Sequence, residues 1–82
     1  MFFKAYPNPV VDELKLEFYN HIYRTDSEVV LTDASGRVIS KPKLSKGDST
    51  ALFSMNDQLP GLYYVSYVVQ GKVLQTEKVV KE

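Results

Sequence analysis

Along most of this chain hydrophobic and polar residues alternate at two-residue intervals, and no stretch sustains the 3.6-residue period of an amphipathic helix. From Asp12 to Tyr19, Leu14, Leu16 and Phe18 share one face, while Glu13, Lys15, Glu17 and Tyr19 share the other, which predicts a strand with one wet side. Glu28 to Thr32 is a second run, carrying Val29, Val30 and Leu31. Asp33-Ala34-Ser35-Gly36 follows, with the Asp-first, Gly-fourth order of a type I turn, and Arg37 to Ser40 returns antiparallel. Thr50 to Met55 alternates again, with Ala51, Phe53 and Met55 on one side. The densest β composition lies in Leu62 to Val69, where only Ser66 is neither aromatic, β-branched nor Leu. Gln70-Gly71 then reads as a two-residue hairpin loop, because Gly supplies positive φ without steric cost. A last strand runs through Val73-Leu74 to the end of the sequence, and the loss of clean alternation after Leu74 leaves room for a bulge.

The connections carry the polar, proline and glycine residues. Tyr6-Pro7-Asn8-Pro9 is an extended or turning segment and not a central strand, since two prolines remove two donors. Asn20 to Ser27 is a polar connection, and Lys41 to Asp48 is a loop holding Pro42 and Gly47. Leu59-Pro60-Gly61 places Pro and Gly at the central positions of a type II turn. The count is six strands and a seventh at residues 2–6, with turn signals spaced as in small β-domains. This predicts an all-β sandwich of two antiparallel sheets filling residues 1–82 as a single domain, with a sheet order that the pattern does not fix. On the Leu62–Val69 strand, Tyr63, Val65, Tyr67 and Val69 share a face, and Tyr63 and Tyr67 are expected in the core with their hydroxyls at its rim.

Composition narrows the function classes. Ten basic residues balance ten acidic ones without clustering, so the basic stripe of a nucleic-acid binder is missing. The longest apolar run is too short to span a bilayer, which argues against direct membrane insertion. Residues 1–7 have no basic region followed by an apolar core, and a fragment cut from a longer exported chain would look the same. Without cysteine there is neither a disulfide nor a thiolate metal site. His21, the only histidine, reads as a surface residue, and no second histidine joins it for metal or nucleophilic chemistry. Asp12-Glu13 and Asp26…Glu28 make poor acid/base pairs, because strand neighbours point to opposite faces. Four scattered glycines form no phosphate loop. No catalytic residue, metal ligand or cofactor is therefore assigned, and the chain reads as non-enzymatic.

Several short stretches together carry a family resemblance. Tyr6-Pro7-Asn8-Pro9 resembles the opening motif of the C-terminal sorting domain of the type IX secretion system. Asp33, Gly36 and Arg37 fall where that family has a "hydrophobic-D-x-x-G-R-hydrophobic" hairpin. Leu59-Pro60-Gly61 and Tyr63 are similar to its "LP-x-G-x-Y-x-V" strand entry, with one residue fewer between Pro and Gly. Lys78-Val79-Val80-Lys81 matches its basic, valine-rich end, followed here by Glu82. The resemblance implies an immunoglobulin-like sandwich of about seven strands. It also implies a non-enzymatic targeting module at the C-terminus of a larger protein of Bacteroidetes-type Gram-negative bacteria. Such a parent, with its N-terminal cargo domain, would pass through the periplasm and cross the outer membrane to the cell surface or exterior. Its implied partners are the type IX machinery and a surface sortase that removes the domain. The last strand, as an edge strand with unpaired main-chain groups, is then the recognised element, through Lys78, Val79, Val80, Lys81 and Glu82. A carbohydrate-binding or fibronectin-like adhesion module of a secreted enzyme is the alternative, with Tyr63, Tyr64 and Tyr67 as a sugar-stacking row.

Overall fold

The computed structural model describes residues 2–19, 27–42, 44, 45 and 47–82. Among them there are seven strands and no helix: β1 (Phe3–Tyr6), β2 (Glu13–Phe18), β3 (Ser27–Asp33), β4 (Val38–Ser40), β5 (Thr50–Ser54), β6 (Gly61–Val69) and β7 (Lys72–Lys81). They form a three-stranded sheet, β1-β2-β5, and a four-stranded sheet, β4-β3-β6-β7, with antiparallel neighbours throughout. This is the expected all-β sandwich.

Alternation decides which side of each strand meets the core. Leu14 and Leu16 on β2, Val29 and Leu31 on β3, Phe53 on β5, and Val65 on β6 are buried between the sheets. Tyr63 and Tyr67 join them: Tyr67 packs edge-on against Phe18 at 5.0 Å between ring centroids. Two buried residues carry no strand signal. Val10, beyond Pro9, and Leu44, in the Lys41–Asp48 loop, both close gaps in the core. Leu44 N donates to Ser27 O and Val29 N donates to Pro42 O, so the loop runs along the edge of β3.

The β6–β7 hairpin turns on Gln70 and Gly71, with φ of +52° and +76°. Positive φ at both central residues is the type I′ geometry, whose twist suits the flanking strands. Further along, Tyr67 faces Gln75 but Val68 faces Val73, so Leu74 is the extra residue of a bulge. A one-residue slip exchanges the faces of everything beyond it. Because of the bulge, Gln75, Glu77, Val79 and Lys81 stand opposite the core-facing residues of β6, and Val79 is fully buried.

The expected type II turn at Pro60-Gly61 does not form. Gly61 has φ of +148°, far from the roughly +80° of that turn, and it is already paired with Lys81 as the first residue of β6. The hydrogen-bonded turn lies earlier, where Gln58 N donates to Met55 O at 3.1 Å. The carbonyl that a type II turn would have used, Leu59 O, instead accepts from the Tyr63 hydroxyl at 2.5 Å. His21 and Asp26, with most of the Asn20–Ser27 connection, lie outside the described residues.

Gln70 holds a left-handed conformation that Asn adopts more readily in I′ turns. Gln70→Asn should therefore raise stability by about 0.5–1 kcal/mol, read as a higher urea midpoint at unchanged m.

Candidate recognition pole

Strand registers bring four sequence-distant stretches to one end of the sandwich. Tyr6 lies opposite Lys15, Glu13 opposite Ser54, Asp33 opposite Tyr63, and Gly61 opposite Lys81. The segments 7–12, 34–37 and 55–60 and the end of β7 consequently share this pole. The residues singled out in the sequence, Tyr6-Pro7-Asn8-Pro9, Asp33, Gly36, Arg37, Leu59-Pro60-Gly61, Tyr63 and Lys78–Glu82, meet here.

Asp33 builds its corner by itself. One carboxylate oxygen accepts from Ser35 N at 3.0 Å, the Ser35 hydroxyl at 2.7 Å and Arg37 N at 3.0 Å. The other meets Arg37 Nε at 3.2 Å, and Gly36 N donates to Asp33 O to close the turn. The Ser35 hydroxyl bond, helped by the two amides and the Arg37 charge, holds the Asp33 carboxyl below its ordinary value of 3.8. Gly36, at φ +92°, takes the position that a side chain resists.

Tyr63 fixes the neighbouring corner. It is buried near the start of β6 and its hydroxyl donates to a carbonyl four residues upstream, the arrangement called a tyrosine corner in immunoglobulin-like sandwiches. Between the two corners lies a cleft of about 510 Å³, lined by Asp33, Arg37, Asp57, Leu59 and Leu62 among others. Leu59 is 78% exposed at its mouth.

The opening segment crosses from one sheet to the other. Both of its prolyl bonds, Tyr6–Pro7 and Asn8–Pro9, are cis. Asn8 Nδ2 donates to Lys78 O and Val80 N donates to Asn8 Oδ1, each at 3.0 Å. Val10 N donates to Val80 O at 2.8 Å, Glu82 N donates to Val10 O at 3.0 Å, and Val10 pairs with Lys81 in parallel. Thus the end of β7 is not the unpaired edge expected from the sequence: residues 8–10 cover it from Lys78 O to Glu82 N. Of the last five residues, Val79 and Lys81 point inward and are buried, and Lys81 Nζ donates to Glu82 O at 3.0 Å. Lys78, Val80 and Glu82 are exposed.

A family model described as the secretion system C-terminal sorting domain matches residues 4–82. The chain belongs to that family. Among curated proteins no sequence matches it. The sorting-domain family is non-catalytic, and its members carry a type IX secretion signal that implies export to the cell surface or exterior by that machinery. In this sorting domain the "D-x-x-G-R" and "LP-G-x-Y" stretches are the two corner-building devices of one pole. Burial of Tyr63 with its hydroxyl at the rim was expected from the sequence, but its bond to Leu59 O was not, because Pro60-Gly61 read as a type II turn. Nor was the clamp of Asn8 on β7, since a carboxamide bonded to a distant main chain leaves no periodic trace.

The folded Asp33 keeps its charge to lower pH than the unfolded one. Its contribution is therefore complete above about 3.8 and disappears as the pH falls below that value through the depressed one. Wild type should be more stable than Asp33→Ala at neutral pH, and the gap should shrink in urea titrations run at about pH 2.5. An equal gap at both would contradict the assignment. Gly61→Val should lose about 1–3 kcal/mol, since a β-branched residue resists a φ of +148°. A thermal midpoint within a degree or so of wild type would contradict it. Tyr63→Phe should lose about 1 kcal/mol without loss of fold, measured the same way.

Proposed function

We propose that residues 1–82 are the detachable, non-enzymatic tail of a longer exported protein, read by the type IX machinery at this pole. The observation that carries the reading is the meeting of the other three family stretches at the pole where β7 ends. In the folded domain a receptor meets Lys78, Val80 and Glu82, the outward members of the last five residues, beside Asn8. Val79 and Lys81 serve by setting the strand in place. The parent's cargo domain precedes this tail, transits the periplasm in folded form, and is released from the tail by a surface sortase upstream of Tyr6.

The adhesion-module alternative receives less support. Tyr63 and Tyr67 are buried, which leaves Tyr64, beside Leu62, as the one member of the proposed stacking row on the outer face.

A full-length parent lacking Lys78–Glu82 should accumulate in the periplasm, and a parent with Lys78→Glu and Val80→Ser, both outward-facing, should do the same while its tail keeps a wild-type melting curve. Fractionation and surface proteolysis measure both. Normal surface display of the truncated parent would end the reading.

A further inference from the structure

We infer that the outward edge of β7 is a docking edge for an extended polypeptide segment bearing an acidic side chain, and that the side chain of Asn8 is the latch closing the Lys78–Val80 end of that edge. The inference rests on the reading of the β7 end as the recognised element, and adds how recognition is made and controlled.

The latch imitates a strand. A primary carboxamide presents one carbonyl and an N–H donor in the same plane, as a peptide unit does, and Asn8 uses both, on Lys78 O and Val80 N. An incoming main chain can take over the two bonds one for one, so exchange loses no hydrogen bond. Nor does apolar burial hold the latch, because Pro7, Asn8 and Pro9 are all exposed. The anchor is separate: Val10 is fully buried and carries its own bonds to Val80 O and Glu82 N. Asn8 can therefore release while Val10 stays, a local opening that leaves the core intact.

What lies beside the latch fits a docking edge. Val80 turns its backbone outward, so by the two-residue alternation of an antiparallel ladder Lys78 N and both backbone groups of Thr76 do as well. These three groups have no partner among the described residues. The open stretch ends at Gln75, whose carboxamide accepts from Phe2 N and Phe3 N and donates to Phe3 O. A short extended segment placed between the two carboxamides would find unpaired groups at Thr76 and Lys78 and gain Val80 when Asn8 swings away. Lys78, exposed and paired with no carboxylate among the described residues, favours a segment bearing an acidic side chain.

The test uses the isotope-labelled 82-residue chain and, as probe, a blocked synthetic heptapeptide with the sequence of residues 12–18, a proline-free, strand-forming segment that bears Asp12, Glu13 and Glu17. In Asn8→Ala, amide exchange at Val80 should quicken by about tenfold or more, while Glu82 and Val65 keep their protection. The peptide should shift the Thr76, Lys78 and Val80 resonances, with an apparent affinity about tenfold tighter for Asn8→Ala than for wild type, because the open edge is populated in advance. Unchanged exchange at Val80, equal affinity for both proteins, or shifts away from this edge would overturn the inference. Should Asn8→Ala fail to fold, Asn8→Asp replaces it, keeping the acceptor for Val80 N and losing the donor to Lys78 O, with the same readouts at Thr76 and Lys78. The outcomes separate from those of the sorting experiment. A truncated parent that still reaches the surface removes the recognition reading and leaves a peptide result standing, whereas a failed peptide experiment beside a trapped parent removes the latch alone.

Discussion

Two side-chain carboxamides close the seam where the ends of this chain meet. β1 is the edge of one sheet and β7 the edge of the other, and a sandwich must leave such edges unpaired or find them partners. Gln75 reaches from β7 to the main chain of Phe2 and Phe3, and Asn8 reaches from the opening segment to Lys78 and Val80. Each is a peptide-like group mounted on a side chain, able to donate and accept at once. Beyond the Asn8 stitch, toward the end of β7, Val10 delivers a buried side chain and a parallel bridge to Lys81. With the seam held, Phe3, Val10 and Val79 are kept in one core, where each fully buried apolar side chain contributes about 1.5–3 kcal/mol.

The bulge at Leu74 decides what that last strand shows to the outside. Counting from the Val69–Lys72 pair without it, Lys78 and Val80 would face the core and Val79 the solvent. The extra residue reverses this, burying Val79 and exposing Lys78 and Val80. Packing and presentation on β7 are thus two results of one backbone irregularity. The same economy holds at the corners, where Asp33 and Tyr63 spend their polar atoms on the local backbone.

The strands with a strict two-residue pattern were legible in the sequence. β2, β5 and β6 bury the faces that their alternation marks, and the Asp33–Gly36 turn has the bonds that its residue order predicts. What escaped were features set by tertiary competition. Pro60-Gly61 has the local chemistry of a type II turn, yet the Tyr63 hydroxyl and the pairing of Gly61 with Lys81 claim the groups that turn needs. Val10, followed by the exposed Val11, and Leu44 lie in proline- and lysine-containing segments without alternation, so periodicity gave them no weight. At the pole, the resemblance singled out the stretches, and their meeting in space required the strand registers. The cover over the β7 edge was hidden because Asn8 acts through its amide and not through strand alternation.

The two poles of the sandwich have different neighbours. Phe2 stacks near Tyr67 and bonds Gln75, close to the Gln70-Gly71 hairpin, whereas the family stretches crowd the other end of a body 34 Å long. Polypeptide joined ahead of Phe2 would leave from the hairpin side. Under the reading proposed above, the domain would be a handle with its grip facing away from its load, and a docking partner would close around the far end without a bulky passenger standing in its way.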